Sequence, residues 1–160
     1  MRNMFKAIKR ILEEFEGIQV VYPVHLNPIV RGIANEVLGE NEKVHLIEPL
    51  EVLDFHNFLN KSHIIMTDSG GIQEEAPSLG KPVLVLRDTT ERPEGVAAGT
   101  LKLAGTEEET IYELTKQLLE DEAEYSRMSK SSNPYGDGHA SKYIVDAIID
   151  KFENKANMFN

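Results

Sequence analysis

The feature that most constrains this sequence is an alternation of short apolar runs with segments of helical periodicity. The apolar or β-branched runs lie at Val20–Val24, Val44–Ile47, Ile64–Thr67, Val83–Leu86 and about Thr100–Leu103. Between most of them, apolar residues recur every three to four positions, at Pro28–Leu38, Leu50–Leu59 and Ile72–Leu79. Near-continuous apolar strands are typical of a parallel sheet that is covered on both faces. The pattern therefore predicts an α/β fold with a doubly wound, Rossmann-like parallel sheet.

Helical patterns flank this region on both sides. An amphipathic segment opens the chain, with apolar residues at Met4, Phe5, Ile8, Ile11, Leu12 and Phe15. Three more helical patterns follow the last apolar run, at Glu108–Leu119, Glu122–Lys130 and Ser141–Phe152. Because no repeat or interior linker divides the chain, we expect one domain over residues 1–153 and a frayed tail over residues 154–160.

Composition and charge exclude several classes of function. The 160 residues are 41% hydrophobic and 28% charged, which is ordinary for a globular domain. There is no cysteine, and no apolar run approaches the roughly 18 residues that span a bilayer, so we expect a cytoplasmic protein without disulfides. The 27 acidic residues outnumber the 17 basic ones, which disfavours binding to nucleic acid or to an anionic membrane. An anionic ligand would have to be held by local donors.

The segment Thr67-Asp68-Ser69-Gly70-Gly71 links a predicted strand to a predicted helix. Ligands of parallel sheets bind at this edge, beyond the carboxyl ends of the strands. The N–H groups of a helix start, two glycines without Cβ atoms and the Ser69 hydroxyl are suited to a diphosphate. The alternative is purely structural: the serine caps the helix, the glycines form a tight turn, and Glu74 and Glu75 complement the helix dipole.

Spacing excludes several other motifs. Gly80-Lys81-Pro82 lacks both the earlier glycine and the following Ser or Thr of a Walker A loop, and the Ser69 segment lacks the first glycine of a nucleophile elbow. The five histidines, at positions 25, 45, 56, 63 and 139, show neither HxxxH nor HxH spacing. We therefore expect no metal site and no cofactor.

Several segments resemble, in chain order, those of one enzyme family. They are Pro23-Val24-His25 with Asn27-Pro28, Glu48-Pro49-Leu50 with Phe55, TDSGGIQEEAPSLGKPVLVLRDTTERPE from Thr67 to Glu94, Gly99-Thr100, and NPYGDGHAS at 133–141. Over about residues 2–150 the chain resembles the non-hydrolysing UDP-N-acetylglucosamine 2-epimerases. The resemblance implies the C-terminal domain of a glycosyltransferase-B-like fold, in which two Rossmann-like domains face each other across a cleft.

The same resemblance assigns roles to individual residues. It implies that Ser69, Gly70 and Gly71 hold the diphosphate of the nucleotide and that Glu75 accepts hydrogen bonds from the ribose hydroxyls. A carboxylate about one turn into the helix is suited to that role, since it can accept two such bonds.

Three further residues are assigned on the same basis. Phe55 would lie beside the uracil, although an aromatic residue on a short apolar helix face is usually part of the core. Arg92 would stabilise the departing diphosphate as the catalytic cation, with a solvated loop arginine paired to Glu91 or Glu94 as the alternative. His25 would help to bind a second, activating UDP-N-acetylglucosamine.

The implied reaction inverts C2 of UDP-N-acetylglucosamine by elimination and re-addition of UDP, giving UDP-N-acetylmannosamine. In the family, the carboxylates thought to act on the C2 proton lie in the N-terminal domain. We therefore expect this chain to supply the UDP-binding half and to be inactive alone. The alternatives are a non-catalytic nucleotide-sugar-binding module and, more distantly, the nucleotide-binding half of a UDP-sugar glycosyltransferase.

The expected partners are UDP-N-acetylglucosamine or UDP, the N-terminal domain and a second copy of the chain, but neither nucleic acid nor a membrane. The resemblance also implies that the first strand of the domain is absent from this sequence. In the usual order 3-2-1-4-5-6, that strand lies between Val20–Val24 and Ile64–Thr67. We expect these two strands either to pair directly and in parallel, or to leave a gap that a partner chain fills.

Overall fold

Strands and helices alternate as the sequence predicts. The structure, a computed structural model, describes the backbone of residues 1–157 and the side chains of residues 1–152. The strands are β1 (Val20–Pro23), β2 (Val44–Ile47), β3 (Ile65–Thr67), β4 (Val83–Val85) and β5 (Leu101–Leu103). The helices are α1 (Arg2–Glu14), α2 (Pro28–Leu38), α3 (Val52–Lys61), α4 (Gly70–Glu75), α5 (Pro93–Ala98), α6 (Glu108–Glu120), α7 (Glu122–Ser129) and α8 (Ala140–Asn157). None of these helices combines the length and the apolar composition that crossing a membrane requires.

All the strand pairs are parallel, but they form two sheets. One sheet contains β1 and β2, and the other has the order β3-β4-β5. The central strand β4 is fully buried, with Val83 and Val85 in one apolar cluster and Leu84 in another. Its side chains alternate between the two faces of the sheet, so helices cover it on both sides. The near-continuous apolar runs therefore predicted a buried parallel sheet correctly.

The expected direct pairing of Val20–Val24 with Ile64–Thr67 is wrong. Within the described residues, β1 pairs only with β2, and β3 pairs only with β4. Helix α1 packs into both halves of the domain. Its Phe5 belongs to the cluster around Val24 and Leu38, whereas its Ala7 and Ile11 belong to the cluster around Leu84. The expectation of a partner chain between the strands stays a prediction.

Helix boundaries differ from the sequence patterns in several places, including α3, which covers Val52–Lys61 rather than Leu50–Leu59. The predicted helix Ile72–Leu79 begins at Gly70 and tightens into a 3₁₀ turn over Ala76–Leu79, which contains Pro77 and ends at Gly80. Helix α5 was not predicted because it has only six residues, although Pro93 at its start and Gly99 after its end are typical helix signals. Helix α8 continues to Asn157, which includes part of the expected tail, and residues 158–160 lie outside the described residues.

Candidate functional site

The Ser69 segment lies where the sequence places it, between the end of β3 and the start of α4. Ser69 occupies the N-cap position, and its backbone N–H donates a hydrogen bond to Thr67 Oγ1 at 3.0 Å. Its own hydroxyl makes no capping bond to α4. The capping alternative therefore leaves this hydroxyl unused, whereas an external acceptor at the sheet edge would engage it.

Gly70 and Gly71 are not explained by the fold itself. Neither has a positive φ angle, unlike Gly80 at 65°. A Cβ atom would lie 3.8 Å from Arg92 Nη2 at the first position and 3.9 Å from Glu75 Oε1 and Ser69 Oγ at the second, which are ordinary contacts. Glycine in a helix lowers stability by about 0.5–1 kcal/mol relative to alanine. Two glycines that the fold does not need therefore indicate that a ligand requires the space a side chain would fill.

Arg92 lies beside the start of α4, held by one distant residue and by its neighbour in the chain. Its Nε donates to a carboxylate oxygen of Glu74, and its Nη1 donates to the Glu91 carbonyl at 3.0 Å. The alternative of an ion pair with Glu91 or Glu94 is thus replaced by a bridge to α4. The Glu74 carboxylate raises the pKa of Arg92 above its ordinary value, so the guanidinium is a permanent cation next to Gly70.

Two residues that sequence reasoning missed fix the Arg92 loop. Gln73 is fully buried on α4, and its Oε1 accepts a hydrogen bond from the Thr90 hydroxyl. The same hydroxyl oxygen accepts the backbone N–H of Arg92 at 2.9 Å. In the sequence, Gln73 shares a helix face with the apolar Ala76 and Pro77, and a polar residue on such a face is the signal that could have revealed it.

Tyr135, from the NPYGDGHAS segment, closes the other side of this loop. Its hydroxyl donates to the Arg92 carbonyl at 3.4 Å, and it lies only 2.5 Å from where a Cβ atom on Gly95 would stand. Burial raises the pKa of the Tyr135 hydroxyl, which keeps it a donor. The C-terminal motif therefore packs directly against the loop that carries Arg92.

Glu75 and Phe55 lie on the two neighbouring helices α4 and α3. Glu75 ends α4, and its Oε2 lies 3.0 Å from His56 Nε2 on α3. Phe55, next to that histidine, is half-buried and packs against the cluster that contains Leu59 and Ala76. Phe55 is therefore partly a core residue, as the alternative predicted, and the rest of its side chain is exposed.

His25 is not brought into this group. It follows β1, and its Nδ1 accepts the backbone N–H of Asn27 at 3.1 Å, while Asn27 caps α2. No hydrogen bond in the described part of the chain joins His25 to the Ser69 segment. Nor do the described acidic and histidine side chains form any cluster of three or more that is suited to a metal ion.

Comparison with known proteins identifies the family of this chain. The family model described as UDP-N-acetylglucosamine 2-epimerase matches residues 1–149. The chain belongs to this family. It is 72% identical to the UDP-N-acetylglucosamine 2-epimerase of Bacillus subtilis (strain 168) over 149 residues, which are 93% of this chain but only 39% of that protein.

Solved structures of this epimerase family confirm the α/β fold. S. aureus MnaA, solved with UDP, has a TM-score of 0.91 at 55% identity, covering 95% of this chain and 42% of that one. The Neisseria meningitidis UDP-GlcNAc 2-epimerase, solved with UDP-GlcNAc, has a TM-score of 0.88 at 52% identity, covering 93% of this chain and 40% of that one. The chain thus spans about two fifths of the length of these relatives.

Proposed function

We propose that this chain supplies the UDP-binding half of a UDP-N-acetylglucosamine 2-epimerase. The observation that carries the proposal is the convergence of a free serine hydroxyl, two glycines that the fold does not require and a fixed arginine at one sheet edge of an epimerase-family chain. Ser69, Gly70 and Gly71 hold the diphosphate, and Arg92 supplies the positive charge next to it. Glu75 accepts hydrogen bonds from the ribose, and the open side of Phe55 faces the uracil.

Arg92 acts when the nucleotide leaves. In the elimination, a base removes the C2 proton, the C1–C2 double bond forms, and the C1–O bond breaks so that UDP departs with its electron pair. Negative charge then grows on the diphosphate, and a guanidinium already oriented by Glu74 and the Glu91 carbonyl stabilises it without rearrangement. In the return step UDP adds back to C1, and the proton returns to the opposite face of C2.

The carboxylates around Arg92 are poorly suited to remove the C2 proton. Glu74 is bound to Arg92, and Glu75 is hydrogen-bonded to His56. Glu91 receives two hydrogen bonds from Arg87, at 2.9 and 3.0 Å, and these bonds lower its pKa and weaken it as a base. We therefore assign the base to another part of a complete enzyme, and we expect no turnover by the isolated chain.

Two open surfaces support a partner for this chain. The strands β1 and β3 each have one edge without a partner among the described residues. Helix α8 also carries an apolar face that is 47–70% exposed, formed by Ile144, Val145, Ile148, Ile149 and Phe152. An N-terminal domain is the occupant that fits the proposed reaction because it also brings the base, and a homodimer is the alternative.

The test compares UDP with uridine as ligands of the purified chain by calorimetry. UDP should bind more tightly, and Arg92→Gln should lower UDP affinity about tenfold, because it removes a hydrogen bond to a charged group. Uridine affinity should not change. Arg2→Gln is the matched control, since Arg2 is in an exposed ion pair with Glu36 at 2.6 Å, on α1 and α2.

Equal affinities for UDP and uridine would contradict the proposed site. Turnover is followed in parallel by NMR of UDP-N-acetylglucosamine, with the chain alone and with the N-terminal portion of the Bacillus subtilis relative. Epimerisation by the chain alone would contradict the assignment of the base to another domain.

A further inference from the structure

The side chain of Glu75 is held by a residue to which the proposed function gives no role. Glu75 is long, flexible and half-exposed, so an unrestrained carboxylate would occupy several rotamers. His56 reaches it from α3, with Nε2 at 3.0 Å from Oε2. A carboxylate can only accept hydrogen bonds, so His56 must carry its proton on Nε2 and donate it.

The position of His56 is itself fixed by packing. On the same helix, Phe55 and Leu59 pack against the cluster that contains Ala76, in the 3₁₀ turn directly after Glu75. The spacing between α3 and the end of α4 is therefore set by apolar contacts, and the His56–Glu75 bond forms across elements that are already in place. A bond of this kind orients a side chain with little further loss of freedom.

The hydrogen bond from His56 decides which carboxylate oxygen of Glu75 faces the turn formed by Ser69, Gly70 and Gly71. With Oε2 engaged by His56, Oε1 lies 3.9 Å from the position that a Cβ atom on Gly71 would take. Each carboxylate oxygen has two acceptor positions, so Oε1 and the second lone pair of Oε2 remain for two hydroxyl donors. Vicinal hydroxyls of a ribose provide such a pair, and a 2′-deoxyribose provides only one.

We propose that His56 is a positioning residue that orients Glu75 and so sets the preference of this site for ribose over 2′-deoxyribose nucleotides. The inference rests on the proposed function, in which Glu75 binds the ribose. His56 itself does not touch the nucleotide. Its removal should therefore weaken binding of UDP more than binding of 2′-deoxyuridine diphosphate.

The experiment measures the ratio of affinities for UDP and 2′-deoxyuridine diphosphate by calorimetry. The unmodified chain should prefer UDP about tenfold, the loss expected for one hydrogen bond to a charged group. Glu75→Ala should remove the preference, and His56→Ala should lower it to about threefold or less. His56→Gln should keep most of it because the amide also donates, and the double variant should match Glu75→Ala alone.

His45→Ala is the matched control. His45 is an exposed histidine on β2 whose Nε2 lies 3.2 Å from Gln19 Oε1, so its loss removes a comparable surface contact away from Glu75. The preference for UDP should stay unchanged in this variant. A reduced preference in His45→Ala would mean that loss of any such contact has this effect, and it would overturn the positioning role.

Other outcomes separate this inference from the proposed function. If Glu75→Ala removes the preference while His56→Ala leaves it unchanged, His56 does not position Glu75 and the inference is overturned alone. The same holds if His56→Ala weakens both nucleotides equally, or if the unmodified chain shows no preference between the two nucleotides yet binds UDP more tightly than uridine. If UDP binds no better than uridine, both the inference and the proposed site are overturned.

Discussion

The two sheets of this chain differ in how well its own residues bury them. Every residue of β4 is buried, and so are two of the three residues of β3. No residue of β1 or β2 is fully buried, and the core beneath them comes mainly from helices, through Phe5, Ala34 and Leu38. The half that carries the candidate site therefore has a fully buried central strand, whereas the β1–β2 half is covered mainly by α1 and α2 and leaves apolar strand surface open.

The difference in burial matches the different roles proposed for the two halves. In the proposed site, the β3-β4-β5 half holds Ser69, Arg92 and Glu75 at fixed distances, and a strand buried on both faces provides a rigid base for that. The β1–β2 half holds none of these residues. Its incomplete burial is consistent with a surface that another domain covers.

The largest expected effect is on the free energy of unfolding. Leu84→Ala, in the middle of β4, should lower it by about 2–5 kcal/mol because a fully buried leucine leaves a cavity. Leu46→Ala is the matched change in β2, where the side chain is only partly buried. It should lower the free energy of unfolding clearly less than Leu84→Ala does. Urea unfolding of the two variants checks this, and equal losses would show that the two sheets are buried equally well.

A smaller effect, on UDP affinity, is expected at the turn formed by Ser69, Gly70 and Gly71. Gly71→Ala should weaken UDP binding about tenfold if the missing Cβ makes room for the ligand, and Gly71→Asp should abolish the advantage of UDP over uridine. The same alanine change should raise stability by about 0.4–1 kcal/mol, because the backbone there accepts any residue.

Gly32→Ala provides the control for this change. Gly32 lies within α2, and a Cβ atom there would meet nothing within 4 Å. It should give the same gain in stability without a change in UDP affinity, as thermal unfolding and calorimetry would report. If Gly71→Ala leaves UDP binding intact, the open space at this turn has no role in binding.

The smallest expected effect concerns an ion pair that joins β5 to α7. Lys102 Nζ lies 2.7 Å from Glu124 Oε1, and Arg127 binds the same carboxylate. Hydrogen bonds from Arg127 and then Lys102 lower the pKa of Glu124 to about 2. A carboxylate with a lowered pKa contributes stability above its unfolded pKa, near 4.5, and loses it as the pH falls toward 2.

Glu124→Gln should therefore lower the free energy of unfolding by up to about 1 kcal/mol at pH 7. The difference in unfolding free energy from the unmodified chain should shrink below pH 4.5. Glu122→Gln, which removes a carboxylate from the same helix turn, is the control. Urea unfolding between pH 7 and about pH 3 measures both. A difference that grows on acidification would show that the ion pair does not stabilise this half.

Local patterns predicted most of the elements, and contacts between distant residues account for what was missed. The apolar periods identified the strands and the longer helices because each period reports a buried face within one segment. Of the two arrangements expected for β1 and β3, direct pairing was wrong, and the sequence did not reveal that α1 packs against clusters in both halves. Chain order alone suggests neighbouring strands and cannot show what keeps them apart.

The same distinction applies to the candidate site. The Ser69 turn was predicted because strand, glycines and helix are adjacent in sequence, and the family resemblance added Glu75, Phe55 and Arg92. The Glu74 partner of Arg92 is 18 residues away, and the Gln73–Thr90 bond joins residues 17 apart. Sequence reasoning placed the Arg92 partner at Glu91 or Glu94 because it considers neighbours in the chain first.

The position of α1 also has a consequence for how the chain folds. Its Arg10 and Glu14 bind residues of α6 that lie about a hundred positions later, through Glu108 and Tyr112. The core shared by these helices therefore forms only after nearly the whole α/β region has been synthesised and a very long loop has closed. Contacts between residues so far apart in the sequence slow folding, so α1 is among the last elements to reach its native surroundings.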